Sequence, residues 1–302
     1  MLRKIIQLGR ETFVVSLPSQ WLRQHRLKKG DDVEVEESGP RLLVYPSSEA
    51  GRGKVVVDVS GTGHVTKRIV AALYKAGYDE VEIKFESPGE METVKQTIRN
   101  DFVGFEIVRE NGKTVCARLV SRPVPEEFNA VLRRVFMLLI EMGNECFKAV
   151  NNGNLEDLEA VAGLDEEVNR QVNFCRRMLN VTGHKVVARV APTYYLVEQL
   201  ERIGDCYKYL CMLLSKATVI PGTALKDSIA EANLLVRKFH ELYYGFSLQG
   251  LVQFWGEKEL AEKSMAAAFE VAKRGELQAM ALIRGIADNL AVANGALLTK
   301  EV

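Results

Sequence analysis

The chain lacks an excess of charge of either sign: 40 Lys and Arg stand against 40 Asp and Glu in 302 residues. Its total charge therefore does not mark a nucleic-acid binder. No uninterrupted apolar run approaches the ~20 residues of a membrane span, and no leader-like segment precedes the first strand-like one. A cytoplasmic protein without membrane insertion is expected. Cysteine is sparse: the five residues (116, 146, 175, 206 and 211) are scattered, odd in number and never in C-x-x-C spacing. That usage excludes a disulfide frame and a thiolate zinc site, and reads as buried thiols in a reducing compartment. Four histidines (25, 64, 184 and 240) lie far apart and form no ligand motif. No Ser/His/Asp or Cys/His nucleophile system is visible, so no enzyme is expected. What remains is 47% hydrophobic and 26% charged, the composition of a soluble globular protein.

Periodicity changes twice along the chain. Residues 4–8, 12–17, 32–37 and 41–45 alternate as short strands, punctuated by Gly9, Gly30 and Ser38-Gly39-Pro40, with one short helix over 19–25 opened by Pro18. "PSSEAGRG" (46–53) reads as a linker. Residues 54–120 then read strand (54–59), helix (64–76), strand (80–85), helix (89–100) and two strands (105–109 and 114–119) around an "ENGK" hairpin signal. This order predicts a small α/β or ferredoxin-like layer. After "SRPVPEEF" the period becomes helical. Phe128, Leu132, Val135, Leu139, Met142 and Cys146 step by fours and threes, and Leu196, Leu200, Ile203, Tyr207, Leu210 and Leu214 repeat the stepping. The pattern predicts helices over 124–151, 154–180 and 188–217 and, past Pro221-Gly222, over 223–248, 256–274 and 276–299, a duplicated three-helix bundle. "LERIGD" (200–205) and "IRGIAD" (283–288) fall at matching places in the two halves. The expected domains are 1–50, 54–122 and 123–302.

Two stretches carry candidate chemistry. Glu201 and Asp205 lie one turn apart on a helix face, a like-charge pair that costs roughly 0.2–0.5 kcal/mol unless a cation joins it. Glu198 lies on the same stripe, and the preceding helix offers Asp165 and Asn169 at the same spacing, with Glu166 beside them. Oxygens without thiolates suit Mg²⁺, Mn²⁺ or iron better than structural zinc. The plainer alternative is a solvated face whose acids pair with neighbours such as Arg202 and Lys208. At the other end, residues 1–30 hold Arg3, Lys4, Arg10, Arg23, Arg26, Lys28 and Lys29 against Glu11 alone, a basic front end in a neutral chain. "VSGTGHVTKRIVAAL" lacks the spacing of a phosphate loop.

"YLVEQLERIGDCYKYL" resembles the third helix of the PhoU family, and "LDEEVNR" resembles its second-helix motif, with the likeness extending over 124–300. The resemblance implies a bound divalent or trivalent metal ion (Mg, Mn, Fe or Zn) held by Asp165, Asn169, Glu201 and Asp205, with Asn169 in the place of an acid. In the second half Arg284 replaces the first acid and is expected to pair with Asp288. "LGRETFVVSLPSQWLRQHRLKKGDDVEVEESGPRLLVYP" (8–46) resembles the AbrB/SpoVT family of swapped-hairpin domains, in which two chains interlace into one barrel. That resemblance implies a homodimer that binds DNA through Arg3, Lys4 and Arg10, with Arg23 and Arg26 on the helix as further contacts. The expected fold is multidomain: an AbrB-like swapped-hairpin β-barrel, a small α/β domain and a PhoU-like all-α double three-helix bundle. The combination resembles archaeal-type phosphate uptake regulators. The alternatives are an adaptor that contacts a phosphate transporter ATPase or a signalling protein, with the first domain only dimerising, and a metal-dependent phosphate-handling enzyme.

Overall fold

The computed structural model describes residues 1–38, 41–46 and 53–302, which divide into two units, Met1–Ala50 and Gly51–Val302. The expected Gly39-Pro40 turn and most of the 46–53 linker lie outside the described residues.

In the first unit β1 (Ile6–Gln7) pairs antiparallel with β2 (Phe13–Val14), in register Ile6 to Val14. Pro18 stands at the entrance of α1 (Ser19–Gln24), where its fixed φ suits a helix start. A second hairpin follows, β3 (Val33–Ser38) on β4 (Arg41–Pro46), with Val33 opposite Pro46 and Val35 opposite Val44. None of the described residues of this unit is buried. Ile5, Leu8, Phe13, Val35 and Leu42 are each more than half exposed. Two hairpins and six helical residues enclose no core by themselves.

The second unit opens with an α/β layer: β5 (Lys54–Asp58), α2 (Thr66–Lys75), β6 (Glu80–Lys84), α3 (Pro88–Asp101), β7 (Phe105–Asn111) and β8 (Thr114–Leu119). The strands lie in the order β5-β6-β8-β7, with β5 and β6 parallel and the other pairs antiparallel. A βαβ unit followed by a hairpin is thus the observed connectivity, not the ferredoxin order. Alternation decides the faces. Val81, Ile83, Val115 and Ala117 are buried with Val70 and Tyr74 of α2 and Val94 and Ile98 of α3. The opposite face carries Lys54, Glu80, Glu82, Arg109 and Arg118 in ion pairs. Ser87 and Glu90 cap α3 reciprocally, with Pro88 in its first turn.

Six helices follow: α4 (Glu127–Asn152), α5 (Leu158–Val186), α6 (Val190–Leu214), α7 (Thr223–Tyr244), α8 (Leu248–Val271) and α9 (Leu277–Glu301). The apolar seams of α4 and α6 read from the sequence are all buried, from Phe128 to Cys146 and from Leu196 to Leu214. Three helices, α5, α7 and α8, depart most from expectation. α5 starts after a 3₁₀ turn at Leu155–Asp157 and runs six residues past 180, through a break at Thr182. α7 ends at Tyr244, not 248, because Gly245 closes it. α8 opens at Leu248, not 256, because the Ser247 hydroxyl accepts from the Gly250 N–H at 3.0 Å. α9 is long and apolar enough to cross a membrane, a property that Arg284 and Asp288 hide from a search for uninterrupted runs. In this fold it buries Met280, Ile283, Ile286, Leu290 and Leu297 in the bundle.

The halves join through α6 against α9 and α4 against α7. At the second crossing Tyr207 Oη donates to Asn233 Oδ1 (2.8 Å), and Asn233 Nδ2 donates to the Gly143 carbonyl (2.6 Å). A Cβ on Gly143 would lie 2.5 Å from Asn233 Oδ1. The layer and the bundle belong to one compact unit. Arg177 of α5, 2% exposed, donates to the carbonyls of Tyr74 (2.9 Å) and Tyr78 (2.8 Å) and to Asp79 Oδ1 (2.6 Å).

Candidate functional site

Two places gather the residues singled out from the sequence. The first is the hairpin end of the first unit. Arg3 and Lys4 precede β1, Arg10 lies in the β1–β2 turn, and Arg23 is in the last turn of α1; all four are exposed. The turn is closed by the Leu8 N–H on the Thr12 carbonyl (2.8 Å) and by Gln7 Nε2 on the Arg10 carbonyl (3.2 Å). Arg10 is thereby held at a hairpin tip, a position suited to phosphate contact. Arg26 is not on the helix as expected. It follows the C-cap residue His25 with φ at 57°, the left-handed conformation usually taken by glycine after a helix. Trp21 and Leu22 are half-buried, and Trp21 packs its ring 5.0 Å from His25.

The second place is the α5–α6 boundary. Asp165 of α5 is 3% exposed, and its Oδ2 accepts from Lys208 Nζ (2.7 Å) and Asn169 Nδ2 (2.8 Å). Lys208 also donates to Asp205 Oδ1 (2.5 Å), so one ammonium joins two carboxylates. Burial raises the Asp165 carboxyl above the ordinary range, against the pull of Lys208. For Lys208, burial works against the charge, but the bonds to Asp165 and Asp205 outweigh it and raise its pKa. Gly204 brings the helices together here. A Cβ on it would lie 3.1 Å from Val168 and 3.4 Å from Asp165 Oδ1. The glycine of "ERIGD" is thus a packing residue.

Glu201 belongs to a different group. Its carboxylate pairs with Arg176 of α5, which also reaches Glu198 at 2.7 Å. Arg176 is 2% exposed. Sequence reasoning named Lys208 as a neutralising neighbour but missed Arg176. The "RR" of "NFCRRML", set in an apolar stretch, was the signal available.

The four expected metal ligands therefore do not converge on one point. Asp165, Asn169 and Asp205 surround Lys208, while Glu201 faces Arg176. Asp165 Oδ1 is buried without a hydrogen-bond partner, beside Gly204. Among the described residues no group of three or more His, Cys, Asp or Glu side chains is arranged to hold a metal. As placed, these residues do not fit a metal ion, since a cation would have to displace the lysine. In the second half Arg284 pairs with Asp288 at 3.0 Å, as its spacing predicts, and also with Glu262 at 2.8 Å.

The family model described as antidote-toxin recognition MazE, bacterial antitoxin, matches residues 6–51, the segment that forms the bare two-hairpin unit. Neither the curated proteins nor the solved structures give a significant match to the chain. Over that segment the amino-terminal unit is similar to the MazE family, and the likeness extends no further along the chain.

Proposed function

We propose that the protein is a homodimeric, DNA-binding transcriptional regulator acting in the cytoplasm, with residues 1–50 as its DNA-binding and dimerising part. The observation that carries this reading is the MazE-type match over 6–51 on a unit without a single buried residue among those described. A second chain supplies the missing core, and the dimer doubles the cluster of Arg3, Lys4, Arg10 and Arg23. Lys and Arg placed against phosphates release counterions, which gives affinity and a steep salt dependence.

The finer reading is control of phosphate uptake. It is supported by the resemblance of the two three-helix repeats, and of "LERIGD" in particular, to the PhoU family. On this reading the bundle passes a signal to the DNA-binding end, and a metal ion enters the α5–α6 face only in exchange for Lys208. The second reading is an adaptor that contacts a transporter ATPase or a signalling protein.

Salt-titrated binding to promoter DNA of phosphate transporter genes separates the two. Log affinity should fall linearly with log salt, by about 0.9 per phosphate neutralised. Arg10→Ala should weaken binding at every sequence and lower the salt slope by about 1 for each arginine lost. Binding indifferent to salt, or unchanged in the variant, returns the function to the adaptor reading.

A further inference from the structure

α8 is apolar on both sides. Phe254, Ala261 and Met265 face the bundle, yet Leu248, Val252, Trp255, Leu260, Phe269 and Val271 remain 43–72% exposed. Single exposed apolar residues are ordinary on a protein surface; of these six, Leu248, Val252 and Trp255 adjoin one another at spacings of three and four, and Leu260 and Val271 continue the side that Val252 begins. The internal repeat sharpens the contrast. α5 holds the same place in the first half, and α2 and α3 pack on it so fully that every residue from 172 to 179 is buried. The equivalent surface of α8 has no such cover among the described residues.

We propose that this face is an interface with a second copy of the chain, the two α8 helices lying antiparallel about a two-fold axis near residue 261. The helix is nearly self-complementary in that arrangement. Val252, Gly256, Leu260, Lys263, Ala267 and Val271 follow one another at spacings of three and four and so share one side. A two-fold axis sets Val252 against Val271 of the second copy and Gly256 against Ala267 of the second copy, and the two small residues let the helix axes approach. Glu259 and Lys263, an exposed pair at 2.8 Å within one helix, then meet Lys263 and Glu259 of the second copy as a four-charge ring. A parallel pairing would oppose Glu259 to itself.

At about 1.5 Å per residue the helix is roughly 36 Å long, so this contact alone is smaller than a standard interface of ~800 Å² per partner. A tether at the amino-terminal units would raise the local concentration to the order of millimolar and compensate for that size.

The test is disulfide trapping in the full chain. Leu260→Cys lies beside the two-fold axis, and Leu234→Cys, on the exposed side of α7, is the control. Under copper-phenanthroline oxidation the Leu260→Cys protein should form a covalent dimer at least tenfold faster than the control. Adding Val252→Glu and Val271→Glu should abolish that difference, while Val252→Glu/Val271→Glu protein without the cysteine keeps its helical circular dichroism. Trapping no faster than in the control overturns the proposal and leaves the face to another macromolecule. Sedimentation of the parent distinguishes the two dimer contacts. A dimer without trapping keeps the amino-terminal contact and removes this one, whereas a parent that sediments as a monomer overturns both contacts, whatever the trapping rate.

Discussion

Lys208 illustrates how one residue can change the meaning of a motif. The like-charge spacing of Glu201 and Asp205 calls for a cation, and the chain supplies two of its own, Lys208 to Asp205 and Asp165, and Arg176 to Glu201 and Glu198. Lys208→Met leaves Asp165 buried without its charge partner, a change of the kind that costs about 3–5 kcal/mol. The melting temperature of the variant should fall and should recover in part with millimolar Mn²⁺ or Mg²⁺, while the parent stays indifferent to both metal and chelator. A parent stabilised by metal would mean that the ion binds without displacing the lysine. Next to Asp205, Cys206 has its thiol pushed up to about 11, chiefly by burial and then by the Asp205 charge. Relative to its ordinary value of 9.0, the thiolate fraction at pH 8 falls roughly a hundredfold, because only the deprotonated form attacks. Iodoacetamide should label Cys206 at pH 8 about two orders of magnitude more slowly than a free thiol, and labelling should speed up tenfold per pH unit toward pH 10.

At the scale of elements, position within a helix reverses the sign of a familiar substitution. Gly→Ala in a helix interior gains up to about 1 kcal/mol from propensity. At Gly143 of α4 the new methyl would meet Asn233 Oδ1 and Tyr207 Oη at 2.5 and 2.8 Å and break the bond from Asn233 to the Gly143 carbonyl. Gly143→Ala should therefore destabilise by roughly 1–3 kcal/mol, read as a lower midpoint in urea. At Gly295 an added methyl would meet nothing within 4 Å, and Gly295→Ala should show the ordinary gain. The elements themselves were legible from periodicity wherever one face is buried, as along the α4 and α6 seams. The α7–α8 boundary was not, because Phe246 and Leu248 continue the apolar stepping while Gly245 and Ser247 end one helix and begin the next. The carboxylate spacing of the site was also legible. Its partner Arg176 was not, since the pair spans 25 residues and depends on how α5 lies on α6.

At the scale of the whole molecule, the two units solve the problem of burial differently. Gly51–Val302 contains its own cores, whereas Met1–Ala50 exposes Ile5, Leu8, Phe13, Val35 and Leu42. Linkage makes the stability of an obligate dimer depend on protomer concentration. In calorimetry the transition of the first unit should move upward with each tenfold rise in concentration. Phe13→Asp should remove that transition without shifting the one from the second unit. A first transition that ignores concentration would show a self-sufficient monomeric unit. The strand–strand–helix–strand–strand order of residues 8–46 was readable at once, and the expectation of a second chain came with its resemblance to swapped-hairpin domains; burial adds which side chains, Ile5, Leu8, Phe13, Val35 and Leu42, are left without cover.

The bond from Arg177 to the Tyr74 carbonyl spans 103 residues. Its consequence falls on the ribosome. The sheet and both its helices are complete once residue 119 has been made, but the guanidinium that seals them is still 58 residues away. At 5–20 residues per second that interval lasts roughly 3–12 seconds. For that time the turn at Tyr78-Asp79 and the rim of Tyr74 and Phe105, over which Arg177 finally lies at 5.2 Å, face solvent. Nascent α4 and the first turns of α5 emerge beside an unfinished surface, which makes this the stage of synthesis at which the chain most needs protection from other chains.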